Sequence, residues 1–533
     1  DFYREHGIFE YFRQELLLLN FRHAFFRFAE LPKYNGLKVK EQLVKRSWDH
    51  MDEQFPGWRD DEELRRIYGP EWRFGYFVSP ILGRLYASTP GALHAVRDRI
   101  SEGTESLGRF VRRFGVERQM MLHYARTLRR RPVDQSLALF ESYHGKDICD
   151  SPFYLMKDLA SRGTHRILVA VRDREQAKHL LARYGIEATP VEWGTKAYVQ
   201  ALATAGLLVN NLSFGTQFVK RPEQVYLNTW HGTPLKTLGK SVPHGLRDLP
   251  SLQSDLYKAD YVLYTNEFTR AHMVRDYMLE MAPGKPLLMG SPRNAALLDS
   301  ERARLLREDL GLSGKRVFFY MPTWRGSNSC QVQTDSFAEQ IEDQLRAIDQ
   351  RLSDDDVMLV SFPSLLDVSI DEGGYDRIRS APKGYEIYDL LSMADCLITD
   401  YSSVLFDFMA TGREVLLFPY DREQYMAERD LYMDYDGLPF PVFTSAESLA
   451  AHMVERRAFA PDAAYTEFAE RFVGLDGLEA AGELNDLLLS AEVKTGYGDA
   501  PPVDLVFLPY MKKRGEEKLE KLLKKGYARP DAV

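Results

Sequence analysis

The residues best suited to chemistry lie in a short polar stretch, "NTWHGTPLKTLGK", at positions 228–240. It continues the apolar run "QVYLN" and so begins where a predicted strand ends, which is where parallel sheets bind their ligands. His231 can act as a general base near neutral pH. Gly232 permits close backbone approach, Thr233 offers a hydroxyl, and Lys236 can hold negative charge. The alternative interpretation is a plain strand-to-loop turn that carries a surface histidine.

A second stretch, "LITDYSSVLFDF" at positions 397–408, has the same character. The apolar run "CLIT" leads into Ser402 and Ser403, which are predicted to open an amphipathic helix. Two hydroxyls and the free N–H groups of a helix start can bind a phosphate. Asp407 lies one turn further along and can accept a hydrogen bond from a sugar hydroxyl. Simple N-capping by the serines is the alternative.

Two further stretches carry weaker signals. "MGSPRN" at positions 289–294 places Arg293 in a turn, where a guanidinium can reach a phosphate or stay solvated. "FFYMPTWRGS" runs from a predicted strand into Pro322, Thr323 and Arg325, a set that suits a nucleotide or a phosphate. A purely structural role is the alternative for both stretches.

Short apolar runs that alternate with helix-like segments must position these residues. This alternation is typical of α/β units around a parallel sheet. The pattern restarts after Gly311, so two doubly wound domains are predicted, with a ligand site in the cleft between them. The runs lie at positions 165–171, 205–211, 224–230 and 260–265, and then at 316–322, 356–363, 395–401 and 413–419.

The flanking regions differ from this α/β part in composition. Positions 109–131 hold eight Arg against one Glu and read as a helix, which suits an anionic membrane surface or a solvated interdomain position. Positions 512–525 hold seven Lys or Arg against three Glu and read as a solvated helical end. The predicted order is a helical N-terminal region (1–132), two Rossmann-like domains (133–300 and 301–492) and a basic tail (493–533).

Composition excludes several classes of protein. A net charge of −9 and a pI of about 5.8 argue against a nucleic-acid partner. The three cysteines are widely separated, so neither a disulfide framework nor a zinc site is predicted. No metal-ligand spacing stands out, and we predict no metal site. A divalent cation such as Mg²⁺ that accompanies a bound diphosphate stays an open alternative.

Taken in order, "WHGTPLK", "GSPRN", "PTWRG" and "LLSMADCLITDYSSVLFDF" resemble the motifs of the CDP-glycerol glycerophosphotransferase family, the teichoic acid polymerases and primases of bacteria. "LFESYHGKDICDSPFYL" at positions 139–155 looks like the opening of that family's catalytic region. The resemblance covers positions 134–490. It implies the GT-B arrangement of two facing Rossmann-like domains.

The resemblance also implies an activity. A polyol phosphate, with glycerol phosphate first, would pass from a CDP-activated donor to an acceptor hydroxyl with release of CMP, in the synthesis of teichoic acid or a capsule-type polymer. The acceptor would be a lipid-linked or oligomeric polyol phosphate or glycan. The enzyme would be cytoplasmic and peripheral to the inner face of the cell membrane, and self-association into homo-oligomers is favoured.

The resemblance further assigns roles to individual residues. His231 would be the catalytic base. Lys236 and Arg325 are candidates to assist with phosphate from their residue types and positions alone. The residues expected to line the donor site are Trp230, Gly232, Thr233, Pro234, Arg293, Pro322, Thr323, Ser402, Ser403 and Asp407.

One position departs from the family pattern. A second histidine commonly follows the strand at positions 356–363, and this chain has Phe362 there. A phenyl ring can neither transfer a proton nor bind phosphate. Two other functions therefore stay open, a GT-B glycosyltransferase that uses a nucleotide sugar and a non-catalytic module that binds polymer.

Overall fold

The computed structural model describes residues 131–215, 218–242, 249–323, 334–362, 372–428, 430–455 and 458–492, with shorter parts of residues 13–130. The chain divides into two compact units. One consists of residues 123–498, and the other consists of residues 1–122 and 499–533. Most of the predicted helical N-terminal region and the whole basic tail lie outside the described residues. Within the described part of the chain, no helix is long and apolar enough to cross a membrane.

The first domain is built on a seven-stranded parallel sheet with the order β3-β2-β1-β4-β5-β6-β7. The order reverses between β1 and β4, where Glu141 pairs with Asn210 at the carboxyl ends of both strands. Such a switch point opens a crevice above the strand ends. The strands are β1 (Asp134–Glu141), β2 (Arg166–Val171), β3 (Thr189–Glu192), β4 (Ala205–Asn210), β5 (Val225–Asn228), β6 (Tyr261–Tyr264) and β7 (Lys285–Leu288).

Several helices of the first domain begin at polar caps that follow a strand. Asp173 accepts hydrogen bonds from the N–H groups of Glu175 and Gln176, and Asn266 accepts one from Thr269. These caps satisfy backbone donors that have no partner within the helix. The helices are α1 (Asp150–Arg162), α2 (Arg174–Arg183), α3 (Lys196–Thr204), α4 (Leu249–Leu256) and α5 (Glu267–Tyr277).

The second domain repeats the design on a five-stranded parallel sheet with the order β10-β9-β8-β11-β12. Its switch point lies between β8 and β11. The strands are β8 (Arg316–Met321), β9 (Asp356–Val360), β10 (Ile378–Ser380), β11 (Cys396–Thr399) and β12 (Glu414–Leu417). The helices are α6 (Ala295–Leu298), α7 (Ser300–Asp309), α8 (Thr334–Asp349), α9 (Ile387–Ser392), α10 (Val404–Phe408), α11 (Arg422–Glu428), α12 (Ala446–Glu455), α13 (Ala463–Val473) and α14 (Ala480–Leu489).

The predicted α/β fold of two doubly wound domains is confirmed, and each of the eight predicted apolar runs contains a strand. Four strands were not predicted. Pro190 and Pro286 interrupt the sequence pattern of β3 and β7, and β10 has only three residues. Strand β1 begins with polar, solvent-facing residues, which hides its buried second half.

The last helix returns from the second domain to the first. Asn485 on α14 donates to the carbonyl oxygen of Leu155 (2.9 Å) and to the carboxylate of Asp158 (2.8 Å), both on α1. Arg162 on α1 donates to the carbonyl oxygen of Gly482 (3.0 Å). Helix α14 therefore packs on the first domain, although it lies within the range 301–492 predicted for the second.

We expect Leu484→Ala, in the buried face of α14, to lower the free energy of unfolding by about 2–5 kcal/mol, because it leaves a cavity in the core. Leu489→Ala on the same helix is the control, since Leu489 is 39% exposed and should cost about 0.5 kcal/mol or less. Urea denaturation followed by tryptophan fluorescence measures both. Equal losses for the two variants would contradict the packing of α14 described above.

Candidate active site

A cavity of about 560 Å³ lies above the carboxyl ends of both sheets and is lined by residues of both domains. It brings together ten of the residues that the sequence predicted for the site. The first domain contributes Trp230, His231, Gly232, Thr233, Pro234 and Lys236, and the second contributes Pro322, Thr323, Ser402 and Ser403.

His231 is held in one orientation by the main chain of the first domain. Its Nδ1 lies 2.9 Å from the carbonyl oxygen of Asn211, and a carbonyl can only accept a hydrogen bond. Nδ1 therefore carries the proton, and Nε2 carries the lone pair that a base needs. The centre of the ring lies 4.0 Å from that of Trp230, and the two planes are tilted by 35°. The φ of Trp230, 53°, is strained for a residue with a side chain. Burial lowers the pKa of His231.

Asp150 holds the side chain of Asn211, the residue whose backbone carbonyl orients His231. Its Oδ2 accepts from the amide of Asn211 (2.9 Å) and from the hydroxyl of Tyr143 (2.9 Å). The backbone N–H of Tyr143 in turn donates to Oδ1 of Asn211 (3.0 Å). The loop after β1 and the end of β4 are thus locked together beneath the histidine, whose ring meets the Tyr143 ring edge-on at 5.9 Å.

Arg293 and Asp407, both predicted to contact the donor, pair with each other, and neither is among the residues that line the cavity. Arg293 Nη1 donates to Oδ1 of Asp150 (2.8 Å), and Nη2 donates to Oδ2 of Asp407 (2.8 Å). The Asp407 carboxylate also accepts from the hydroxyl of Tyr388 (2.8 Å) and from the amide of Asn294 (3.2 Å). Arg293 is 3% exposed. Its guanidinium joins the domains, and a contact of either residue with a donor stays a prediction.

Arg293, Asp150 and Asp407 form a charged triad in which each group influences the protonation of the others. Burial alone would lower the pKa of Arg293, but the carboxylates of Asp150 and Asp407 raise it well above its ordinary value. Burial likewise acts to raise the pKa of Asp150, and the charge and hydrogen bonds of Arg293 more than offset this and lower it. Asp150 therefore remains ionised beneath His231.

Gly232 lies close to Ser403 of the second domain. Its φ is 134°, a conformation that residues with side chains rarely adopt. A Cβ added at this position would lie 2.9 Å from Nη2 of Arg293 and 2.9 Å from the hydroxyl of Ser403. A glycine next to His231 is therefore what lets the serines of the second domain approach the histidine.

Thr233 and Lys236, which follow Gly232 in the same loop, line the cavity and also make contacts that hold the loop in place. Thr233 is buried, and its hydroxyl accepts from the amide of Asn266 (2.8 Å) at the start of α5. Lys236 forms an antiparallel bridge with Leu431 of the second domain, and its ammonium lies 5.3 Å from the Tyr425 ring. These contacts hold the loop in place between the two domains.

The wall formed by the second domain carries several hydroxyl groups. Asp400 accepts two hydrogen bonds from the N–H of Thr323 (2.8 and 3.0 Å), which ties the ends of β8 and β11 together. The helix after Ser403 was predicted to be amphipathic, but α10 has only five residues and all are buried. Ser403 makes no side-chain cap, and its hydroxyl points toward Gly232, so simple capping does not describe it.

Sequence reasoning missed part of the lining. Tyr143, Lys146 and Asp147 come from the loop after β1, and Ser361 and Tyr401 come from strand ends of the second domain. The available signal was position, because each of these residues follows the carboxyl end of a parallel strand.

Phe362 also lines the cavity, so the position of the departure from the family pattern is part of the site. Arg325 lies outside the described residues, and its predicted assistance with phosphate stays a prediction. Across the described part of the chain, no group of three or more His, Cys, Asp or Glu residues is arranged to hold a metal ion.

Comparison with known proteins decides the family. Residues 122–490 match the family described as CDP-glycerol:poly(glycerophosphate) glycerophosphotransferase. The chain belongs to this family. All the candidate site residues fall within the matched range.

Individual members of this glycerophosphotransferase family are similar over the same region. A teichoic acid glycerol-phosphate transferase of Staphylococcus aureus is 28% identical over 372 residues, which are 65% of this chain and 91% of that protein. A teichoic acid poly(glycerol phosphate) polymerase of Staphylococcus epidermidis is 28% identical over 376 residues, 67% of this chain and 51% of the relative. The chain thus spans about half the length of that polymerase.

A solved structure is similar as well. The wall teichoic acid polymerase TagF aligns with a TM-score of 0.57 at 25% identity, over 72% of this chain and 95% of that one. The chain therefore shares its two-domain fold with a solved member of this glycerophosphotransferase family.

Replacing Arg293 by Met should lower the free energy of unfolding by about 3–5 kcal/mol, since it leaves the buried carboxylates of Asp150 and Asp407 unpaired. Arg270→Met removes an exposed ion pair with Glu267 and should cost less than about 1 kcal/mol. Urea denaturation compares the two variants. If Arg293→Met lowers the free energy of unfolding no more than Arg270→Met does, the triad does not hold the two domains together.

Gly232→Ala should reduce turnover by about a hundredfold, because the added methyl pushes Ser403 and Arg293 away from His231. Gly185→Ala is the matched control, since Gly185 also has a positive φ (62°) but nothing lies within 4 Å of an added Cβ. Steady-state rates of the two variants, with circular dichroism to confirm folding, make the comparison. Equal activity of the two variants would show that the close approach at Gly232 is unimportant.

Proposed function

We propose that this chain transfers glycerol phosphate from CDP-glycerol to the hydroxyl of an acceptor and releases CMP, in the synthesis of a bacterial teichoic acid. The observation that carries the proposal is His231 at the interdomain cavity. The Asn211 carbonyl fixes its tautomer, and the hydroxyls of Ser402 and Ser403 line the same cavity. Membership of the family supplies the class of donor.

The chemistry assigns a task to each wall of the cavity. Nε2 of His231 takes the proton of the acceptor hydroxyl. The oxygen of that hydroxyl forms a bond to the phosphorus that carries the glycerol. The bond from that phosphorus to the bridging oxygen breaks, and CMP leaves with the electron pair. Hydrogen bonds from Ser402 and Ser403 would stabilise the negative charge that develops on the phosphoryl oxygens.

The lowered pKa of His231 suits a base that works near neutral pH. Desolvation disfavours the charged imidazolium, so the ring is neutral and ready to accept a proton before the reaction. Once protonated, the ring gains stabilisation from the ionised Asp150, whose charge acts to raise the same pKa. The site therefore keeps the base free and also supports the cation that the reaction forms.

Phe362 means that this chain cannot use a histidine at that position to hold phosphate or to protonate the departing CMP. Lys236, which lines the cavity, and Arg325 are the cations proposed to assist the phosphates instead. A divalent cation such as Mg²⁺ bound by the diphosphate itself would serve the same purpose.

The wider setting is part of the same proposal. The acceptor would be lipid-linked or an oligomer of polyol phosphate, and the enzyme would work at the inner face of the membrane as a peripheral protein. The Arg-rich stretch at positions 109–131 is the proposed membrane contact. Self-association is proposed from the family resemblance alone.

The proposal is tested by CMP release from CDP-glycerol, with CDP-ribitol and UDP-glucose in parallel and a glycerol-phosphate oligomer as acceptor. Acceptor-dependent CMP release and a phosphodiester product are expected. A glycoside product would establish the nucleotide-sugar glycosyltransferase, and binding of the oligomer without turnover of any donor would establish a non-catalytic module. Either outcome would overturn the proposal.

We expect His231→Gln to lower this turnover by about 10²–10⁴-fold, the usual contribution of a general base. The rate of the wild type should fall as pH drops through the lowered pKa of His231, below about 6.5, because the protonated ring cannot accept a proton. Between pH 7 and 8, about one unit above 6.5, the rate should not change through titration of His231. A rate that rises steeply across pH 7–8 would assign the base to another residue.

A further inference from the structure

We propose that Lys146 and Arg172 bind the acceptor, as a subsite for the phosphodiester nearest its reacting hydroxyl. The proposal rests on the proposed function and identifies the acceptor as a polyanion. It concerns the first-domain wall of the cavity, opposite the serines at which the donor phosphate is placed.

Arg172 follows the carboxyl end of β2 and is held firmly in place. Its backbone N–H donates to the carbonyl oxygen of Gly145 (2.6 Å), and Nε donates to that of His144 (3.1 Å). The guanidinium also lies 5.1 Å from the Trp193 ring. A guanidinium stacked on an indole and fixed through Nε keeps its other nitrogens for a planar, bidentate anion such as a phosphate.

Lys146 lies beside this arginine and lines the cavity. Among the described residues, neither cation forms an ion pair with a carboxylate. Partial desolvation and the positive charge of Arg172 together lower the pKa of Lys146. Asp147, next in sequence, lines the same cavity but forms no ion pair with either cation, and two neighbouring cations that repel each other form a site that an anion would stabilise.

The loop that carries Lys146 is built at a conformational cost. Tyr143 and His144 have φ values of 46° and 57°, in the left-handed region that side chains disfavour. Gly145 follows with φ of 70°, and a Cβ there would lie 2.9 Å from Cβ of Trp193. The missing Cβ of Gly145 lets the loop pack against Trp193, and the hydrogen bonds to Arg172 hold the two cations in position before any ligand arrives.

The position of the pair explains which ligand it serves. The Tyr143 ring touches the ring of His231, and Lys146 follows three residues later on the same wall. An acceptor hydroxyl must reach His231 from the side opposite the donor phosphate at Ser402 and Ser403. In a polyol-phosphate chain, a phosphodiester lies one polyol unit behind that hydroxyl, which is where the two cations would meet it.

The test uses Lys146→Gln, Arg172→Gln and the charge-preserving Arg172→Lys. Matched controls are Arg166→Gln, which removes an exposed arginine at the amino end of the same strand β2, and Lys178→Gln on α2. Binding of a fluorescent glycerol-phosphate oligomer is measured by anisotropy at several salt concentrations. In parallel, KM is determined separately for the oligomer and for CDP-glycerol.

We expect each Gln variant at the pair to weaken oligomer binding and raise the oligomer KM by about tenfold, the value of one charge-assisted contact. KM for CDP-glycerol should change by less than about twofold, as should both constants in the controls. The salt dependence of binding should become shallower, and Arg172→Lys should recover part of the affinity. Lys146 is exposed, so its variant tests the subsite even if Arg172→Gln fails to fold.

Two results would overturn the inference. One is unchanged oligomer binding in both Gln variants, and the other is a rise in KM for CDP-glycerol instead of the oligomer, which would assign the cations to the donor. Absence of CMP release by the wild type would be a failure of the proposed function only. The anisotropy measurement would then still decide whether this pair binds a polyol-phosphate chain.

Discussion

The site depends on one buried guanidinium. Arg293 lies between Asp150 of the first domain and Asp407 of the second, with hydrogen bonds of 2.8 Å to each. Because unpaired charges are costly to bury, the two domains can approach each other in this way only while all three groups are present. The same Asp150 accepts a hydrogen bond from the side-chain amide of Asn211, whose backbone carbonyl orients His231. The contact that closes the cleft thus also sets the geometry of the base.

Around this triad of Arg293, Asp150 and Asp407, the two walls of the cavity carry different functional groups. The second domain supplies hydroxyls at strand ends joined through Asp400. The first domain supplies the oriented histidine and, beside it, the paired cations Lys146 and Arg172. Hydroxyls and backbone N–H groups stabilise a phosphoryl group in transfer, while fixed cations suit a stable phosphodiester. The asymmetry fits a reaction in which a phosphoryl group leaves one wall and joins a chain bound at the other.

The strained backbone positions concentrate at this cavity. Tyr143, His144, Asp150 and Trp230 all have positive φ, and each lies in or next to the loops that surround His231. Such conformations cost of order 1–3 kcal/mol each and persist only where neighbouring contacts enforce them. Tyr143 is held by hydrogen bonds to Asp150 and Asn211, and the N–H of Trp230 donates to Oδ1 of Asn228 (2.9 Å). The fold therefore spends part of its stability on holding the loops of the site in place.

The sequence alone determined the two doubly wound sheets and the placement of the functional loops, because apolar runs define buried strands and parallel strands bring their carboxyl ends to one edge. That logic placed His231, Thr323 and Ser402 at one cavity. Only the tertiary structure decided that Arg293 and Asp407 pair with each other, and that a carbonyl selects the tautomer of His231. It also decided which wall carries Lys146 and Arg172. These outcomes depend on partners far apart in the chain, 143 residues for Asp150 and Arg293, and on left-handed backbone that no local pattern predicts.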